Sequence, residues 1–202
     1  MADPLHRPLT VEEYLDVEDS LAWRHEYVAG ETYAMSGESR RHNRIVGNVF
    51  ARLWADVRGG PCRVSVNGVK LRTADVVYYP DVMVACGPEP ADPRLEEAPC
   101  LVVEVLSPST ERTDRREKAM VYHGIPSLGA YLVVEQECRL VERHWRDADG
   151  RWRRDTLVER GAIPLPCPPA APPLGLDEIY DGLTLPPAAE VLRVREAPAT
   201  YV

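Results

Sequence analysis

The order of elements along this chain predicts an α+β (mixed α/β) fold, a mixed β-sheet flanked by helices with an N-terminal hairpin. Three observations carry that prediction. The elements run helix, hairpin, helix, a set of strands, helix and three more strands, without the regular strand-helix alternation of a doubly wound nucleotide-binding fold. Val82-Met83-Val84 and Leu101-Val102-Val103 are apolar on both faces and read as buried strands. Neither a GxGxxG nor a GxxxxGK phosphate loop is present.

Each element has a local cause. Thr10-Val11-Glu12-Glu13 has the S/T-x-x-E form of a capping box, so a short helix is predicted over 11–16. Residues 23–28 and 31–35 flank Ala29-Gly30 and read as a two-stranded hairpin, with Glu26 in its first strand. Ser39 caps a longer helix in which Ile45, Val46, Val49, Phe50, Leu53, Trp54 and Val57 recur at helical spacing, until Gly59-Gly60-Pro61 ends it. Strand character follows at 62–66, 69–72, 76–85 and 100–106, with 87–99 as a connecting loop. Residues 111–123 read as a polar helix ended by Gly124 and Pro126, and strands at 130–134, 139–146 and 152–158 complete the order. Residues 163–173 hold six prolines, which lack the N–H a strand ladder needs, so an extended strap across the surface is expected, docked by a short helix over 176–181. The expected organisation is a single domain over 1–185 and a C-terminal tail over 186–202.

Composition narrows the function classes. A formal charge of −8 and a pI near 5.2 argue against nonspecific coating of nucleic acid, which needs basic surface to neutralise phosphates, yet leave room for a local basic groove. Met1-Ala2-Asp3-Pro4-Leu5-His6-Arg7 lacks an apolar h-region and no later run approaches membrane-spanning length, from which a cytoplasmic location without membrane contact is expected. Cys62, Cys86, Cys100, Cys138 and Cys167 are odd in number and lack CxxC spacing, which predicts reduced thiols rather than a disulfide framework. Of the 24 basic residues only Lys70 and Lys118 are lysines, which singles both out, because ammonium and guanidinium differ in proton affinity and hydration. Lys70 reads as a solvated edge-strand lysine.

Asp81 and Glu104 are the anomaly. Both belong to apolar strand segments, where an ionised carboxylate is costly unless a cation or several donors compensate it. One chemistry that puts two acids there is a shared divalent metal activating water for phosphodiester cleavage. Magnesium takes oxygen ligands and keeps several waters, so Asp81, Glu104 and the carbonyl of Val105 suffice as protein ligands, with Mn2+ as an alternative ion. Lys118, on the helix after the Glu104 strand, would hold the attacking water and stabilise developing negative charge. Plainer readings stand beside these. Asp114 and Lys118 suit an i,i+4 ion pair of ~0.3–0.5 kcal/mol, a buried Glu104 can pair with an arginine, and Pro80-Asp81 is a common turn pair.

Tyr79-Pro80-Asp81-Val82 and Val103-Glu104-Val105-Leu106-Ser107-Pro108-Ser109-Thr110, followed by Asp114 and Lys118, resemble the Uma-type family of putative restriction endonucleases in the PD-(D/E)XK nuclease superfamily. The similarity runs from Leu9-Thr10-Val11-Glu12-Glu13-Tyr14 to Leu174-Gly175-Leu176-Asp177-Glu178-Ile179-Tyr180. The resemblance implies a restriction-endonuclease-like core, a magnesium site, and Asp81, Glu104 and Lys118 in the catalytic positions. It also matches Glu26 to a family acid that adds a ligand or positions a metal-bound water, and His42 to a position that would meet a phosphate or an acidic neighbour. A strand glutamate and a helix-surface histidine are the plainer alternatives. The superfamily's usual lysine, two residues after the second acid, is here Leu106, so the resemblance passes that role to Lys118. Ala130-Tyr131 and Ala29-Gly30 stand where relatives tend to carry Tyr-Trp and Asp-Gly, changes of packing and turn chemistry.

Arg40, Arg41 and Arg44, and Arg112, Arg115 and Arg116, cluster near two helix starts, and Arg41, Arg115 and His42 are expected to line a nucleic-acid path. The expected activity is magnesium-dependent hydrolysis of DNA phosphodiester bonds by a homodimer, with RNA as an alternative substrate. The competing expectation is a catalytically inactive module that keeps the nuclease fold and binds or regulates.

Overall fold

The computed structural model describes residues 8–107 and 117–196. Helix α1 (Val11–Glu18) begins at the expected capping box, where Thr10 Oγ1 accepts from the Glu13 amide at 3.2 Å and Glu13 Oε2 accepts from the Thr10 amide at 3.0 Å. Strands β1 (His25–Val28) and β2 (Glu31–Ala34) pair antiparallel about Ala29-Gly30, both at positive φ, the geometry that a two-residue hairpin turn requires. The Ser39 hydroxyl accepts from the His42 amide at 3.0 Å and starts helix α2 (Arg40–Val57).

The remaining strands build two main sheets. Strands β3 (Cys62–Val66), β4 (Lys70–Arg72), β5 (Val76–Tyr78), β6 (Val82–Cys86), β7 (Leu95–Glu96) and β8 (Pro99–Val105) precede helix α3 (Ala119–His123), and β9 (Ala130–Val134), β10 (Leu140–Arg146) and β11 (Trp152–Val158) follow it. One sheet is ordered β2-β1-β5-β4-β7 and the other β11-β10-β9-β8-β6-β3. Parallel pairing of β8 with β9 and of β4 with β7 makes both sheets mixed.

Alternation along β8 decides which core each residue joins. Leu101, Val103 and Val105 face α2, whose Ile45, Val49 and Leu53 are fully buried against them. Val102 faces the second core with Met83, Tyr78, Tyr122 and Tyr131, and Glu104, two residues on, shares that face. A third small sheet, β12 (Ala162–Ile163) with β13 (Leu174–Gly175), brackets the proline-rich strap, and α4 (Leu176–Ile179) docks it on α2. Among the described residues no helix is long and apolar enough to cross a membrane.

Four expectations change. The single strand expected over 76–85 is two strands in different sheets, because Pro80 cannot donate to a ladder, and Tyr79-Pro80-Asp81 carries the chain from β5 to β6. Lys70 is buried rather than solvated, since β7 pairs along β4 and covers its edge, and its Nζ lies 2.6 Å from Asp19 Oδ1. Part of the expected tail is helix α5 (Ala188–Glu196), with Ala188 buried against Cys138 and Leu140. Cys62 pairs with Cys86 and Cys100 with Cys167 in disulfides, and Cys138 is buried and in neither. Spacing could not reveal this because the partners meet across strands and the strap.

Two predictions follow from the packing. A Cβ at Gly129 would lie 2.6 Å from Pro166 Cβ of the strap, so Gly129→Ala should destabilise the fold by about 1–3 kcal/mol, read as a lower urea midpoint. His123 stacks on Trp152 with centroids 4.3 Å apart and lies 3.0 Å from Nδ1 of His144. Burial, then the charges of His144 and Arg146, hold its pKa below the usual 6.5. The unfolded chain therefore takes up this proton first as acid is added, so stability should be lost as pH falls below 6.5 and be unaffected above it. Urea titrations across pH should show a shallower loss for His123→Asn. An unchanged slope removes His123 as the cause.

Candidate active site

The crossing between the sheets positions the acids. Asp81 sits at the point where the chain enters β6, and Glu104 lies near the end of the neighbouring β8. Asp81 Oδ2 accepts from the Val105 amide at 2.8 Å, and the Asp81 amide lies 3.4 Å from Glu104 Oε2. Asp81 thus holds the backbone of the residue after Glu104, and the Glu104 carboxylate faces the backbone amide of Asp81. Glu104 is 3 % exposed, and the Tyr122 hydroxyl donates to its Oε1 at 2.7 Å.

Lys118 stands at the cap of α3, and its ammonium is buried between two carboxylates, 2.9 Å from Glu26 Oε1 and 3.2 Å from Glu104 Oε1. It also lies 5.0 Å from the centre of the Tyr78 ring, whose face favours a cation. Glu26 reaches this point because β1 pairs with β5, and the Tyr79 amide donates to its Oε1 at 3.3 Å. Residues from β1, the β5–β6 crossing, β8 and the start of α3 therefore meet in one place.

His42, on the first turn of α2, is buried with Nε2 3.2 Å from Asp81 Oδ2 and 3.8 Å from Glu38 Oε2. Burial alone lowers its proton affinity, but the hydrogen bond and charge of Asp81, the charge of Glu38 and the Val105 backbone outweigh that and raise its pKa above 6.5. Burial, then the charge of Glu104, lifts the Tyr122 hydroxyl well above its usual range, so it remains a donor to that carboxylate.

A cavity of about 340 Å³ opens over this cluster. Five carboxylates line it, Glu26, Glu38, Asp81, Glu104 and Glu117, against the two basic side chains Lys118 and His42. Hard oxygen donors in excess of cations fit a divalent ion such as Mg2+, and Asp81 and Glu104 are among the carboxylates that could hold it. Val105 lines the same cavity, with its amide committed to Asp81. Arg41 instead turns to the β9–β10 connection and pairs with Glu137, and Arg115 and Asp114 lie outside the described residues. Glu38, Glu117 and Tyr122 are contributors that the sequence reading missed. Only Tyr122 left a signal, as a polar-tipped ring one turn beyond Lys118.

Removing the ammonium leaves the buried Glu104 and the half-buried Glu26 without the cation between them. Lys118→Met should cost about 3–5 kcal/mol without metal, measured by urea denaturation, and added Mg2+ should recover part of it. A neutral effect in metal-free buffer would mean the clasp carries no charge balance.

One known structure is similar to this chain in its arrangement of elements, and two further proteins are similar to it in sequence. A crystal structure of a putative nuclease belonging to DUF820 from Anabaena variabilis superposes with a TM-score of 0.70 at 17% identity, covering 86% of this chain and 98% of that one, which is a likeness of fold. Two uncharacterized proteins of Synechocystis sp. are similar in sequence: slr1290 is 36% identical over 147 residues, 71% of this chain and 77% of its own length, and sll1609 is 31% identical over 159 residues, 76% and 90%. The Uma2 family model, described as "Putative restriction endonuclease", matches residues 11–177, a span that includes Glu26, His42, Asp81, Glu104 and Lys118. On that match this chain belongs to the Uma2 family.

Proposed function

We propose that this protein is a magnesium-dependent endonuclease that hydrolyses DNA phosphodiester bonds. The observation that carries the reading is the convergence of Asp81, Glu104 and Lys118, with Glu26, at one carboxylate-rich cavity. A divalent ion bound there supplies positive charge for the phosphoryl oxygens and acidifies water. Asp81 and Glu104 would hold it, with the Val105 carbonyl as a further oxygen and Mn2+ as a substitute ion.

The other residues act on geometry and protons. Lys118, held by Glu26 and Glu104, presents an ammonium that can donate to the attacking water or a phosphate oxygen and so stabilise charge as it develops. His42 and the Val105 amide both engage Oδ2 of Asp81, which keeps that carboxylate turned toward the cavity. Tyr122 does the same for Glu104 from below. Arg41 and Arg115 are assigned to the path of the DNA backbone, with Arg41, its side chain 40% exposed, exchanging Glu137 for phosphate. One cavity cuts one strand, so double-strand scission calls for a homodimer.

Supercoiled plasmid with Mg2+ or Mn2+ should be nicked by the wild type, and Asp81→Ala or Glu104→Gln should lower the rate by about 100-fold or more. Lys118→Ala should lower it by roughly 10²–10³-fold while divalent ion still binds by calorimetry. A parallel RNA substrate decides the nucleic acid. Equal cleavage by wild type and Asp81→Ala, or none with any metal on either substrate, refutes the assignment.

A further inference from the structure

We propose that Cys62, Cys86, Cys100 and Cys167, once reduced, form a thiolate site for Zn2+ at the end of the six-stranded sheet opposite the cavity. Cys62 opens β3 and stands directly across from Cys86 at the end of β6. Cys100 is the second residue of β8, where a register shift between Val84 and Ala85 interrupts the ladder with β6. The strap delivers Cys167 to the same corner. Asp81 and Cys86 lie at opposite ends of one strand, five residues or about 16 Å apart, so the two sites are separate.

The four sulfurs form one continuous cluster. Sγ of Cys86 and Sγ of Cys100 are 3.7 Å apart, and those of Cys86, Cys100 and Cys167 all lie within 4.8 Å of one another. Cys62, bonded to Cys86 and outside that group of three, would move in as the fourth once reduced. A tetrahedral zinc with Zn–S bonds of about 2.3 Å holds its sulfurs roughly 3.8 Å apart, so the unbonded Cys86 and Cys100 sulfurs already have the spacing of two ligands. Thiolate sulfur selects Zn2+ over Mg2+, which keeps the metal of this corner distinct from that of the carboxylates.

The corner has two chemical forms. In the oxidised one, the four cysteines are the disulfides Cys62–Cys86 and Cys100–Cys167. A dithiol gives each disulfide two electrons and two protons and leaves as its own disulfide. Uptake of Zn2+ by the resulting thiols then releases their protons to solvent. Bound zinc would tie β3, β6, β8 and the strap together as the disulfides do.

The test uses the full chain, reduced with a dithiol that is then removed anaerobically, and titrated with Co2+ as a spectroscopic substitute. One equivalent of Co2+ should produce a thiolate-to-cobalt charge-transfer band, which Zn2+ abolishes and which carboxylate ligands cannot generate. Cys86→Ser, at an exposed position, should weaken that band, because three thiolates remain in place of four. Alkylation followed by mass spectrometry gives a second reading on the wild type, in which Zn2+ should protect the same four cysteines. Absence of the band in the reduced wild type, its undiminished intensity in Cys86→Ser, or equal alkylation with and without Zn2+ overturns the proposal.

Discussion

Two carboxylates can share a buried wall when a positive charge sits between them, and Lys118 supplies it. Its ammonium lies within 3.2 Å of both Glu26 and Glu104, and these acids come from different sheets. The ion pair is therefore also a joint. It pins the hairpin of the five-stranded sheet to β8 of the six-stranded sheet, at the place where each offers an acid that water does not reach freely. Without such a cation the desolvation cost would drive the acids apart or leave them protonated.

The same joint explains the shape of the chain around it. Pro80 ends one sheet and lets the next begin, and the three-residue crossing leaves Asp81 facing the end of β8. Backbone groups finish the arrangement, the Val105 amide on Asp81 and the Asp81 amide near Glu104. His42 and Tyr122 close it from opposite sides of the sheet, since α2 packs on one face and α3 on the other. Each acid is thus oriented by both a side chain and a backbone group.

Charge resolves an apparent conflict between an acidic protein and the polyanionic substrate proposed for it. With a formal charge of −8, long-range attraction to nucleic acid is weak, and the cavity itself is lined mostly by carboxylates. Such a cavity repels phosphate until a divalent ion reverses its sign. On the proposed function, metal uptake would be the step that makes this cavity accept a phosphate.

Much of this was legible in the sequence, because it rests on local rules. The Thr10 capping box, the Ala29-Gly30 turn, the helical period of α2 and the apolar runs of β6, β8 and β9 each act within a few residues. Asp81 and Glu104 stood out because a charge in an apolar strand is anomalous wherever the strand goes. What the sequence could not contain was the meeting of distant segments. Splitting residues 76–85 between two sheets, burying Lys70 under β7, turning Arg41 toward Glu137 and bringing four cysteines to one corner all depend on strand order and register. Those are set by long-range packing of whole faces, a global free-energy balance that no short window of residues encodes.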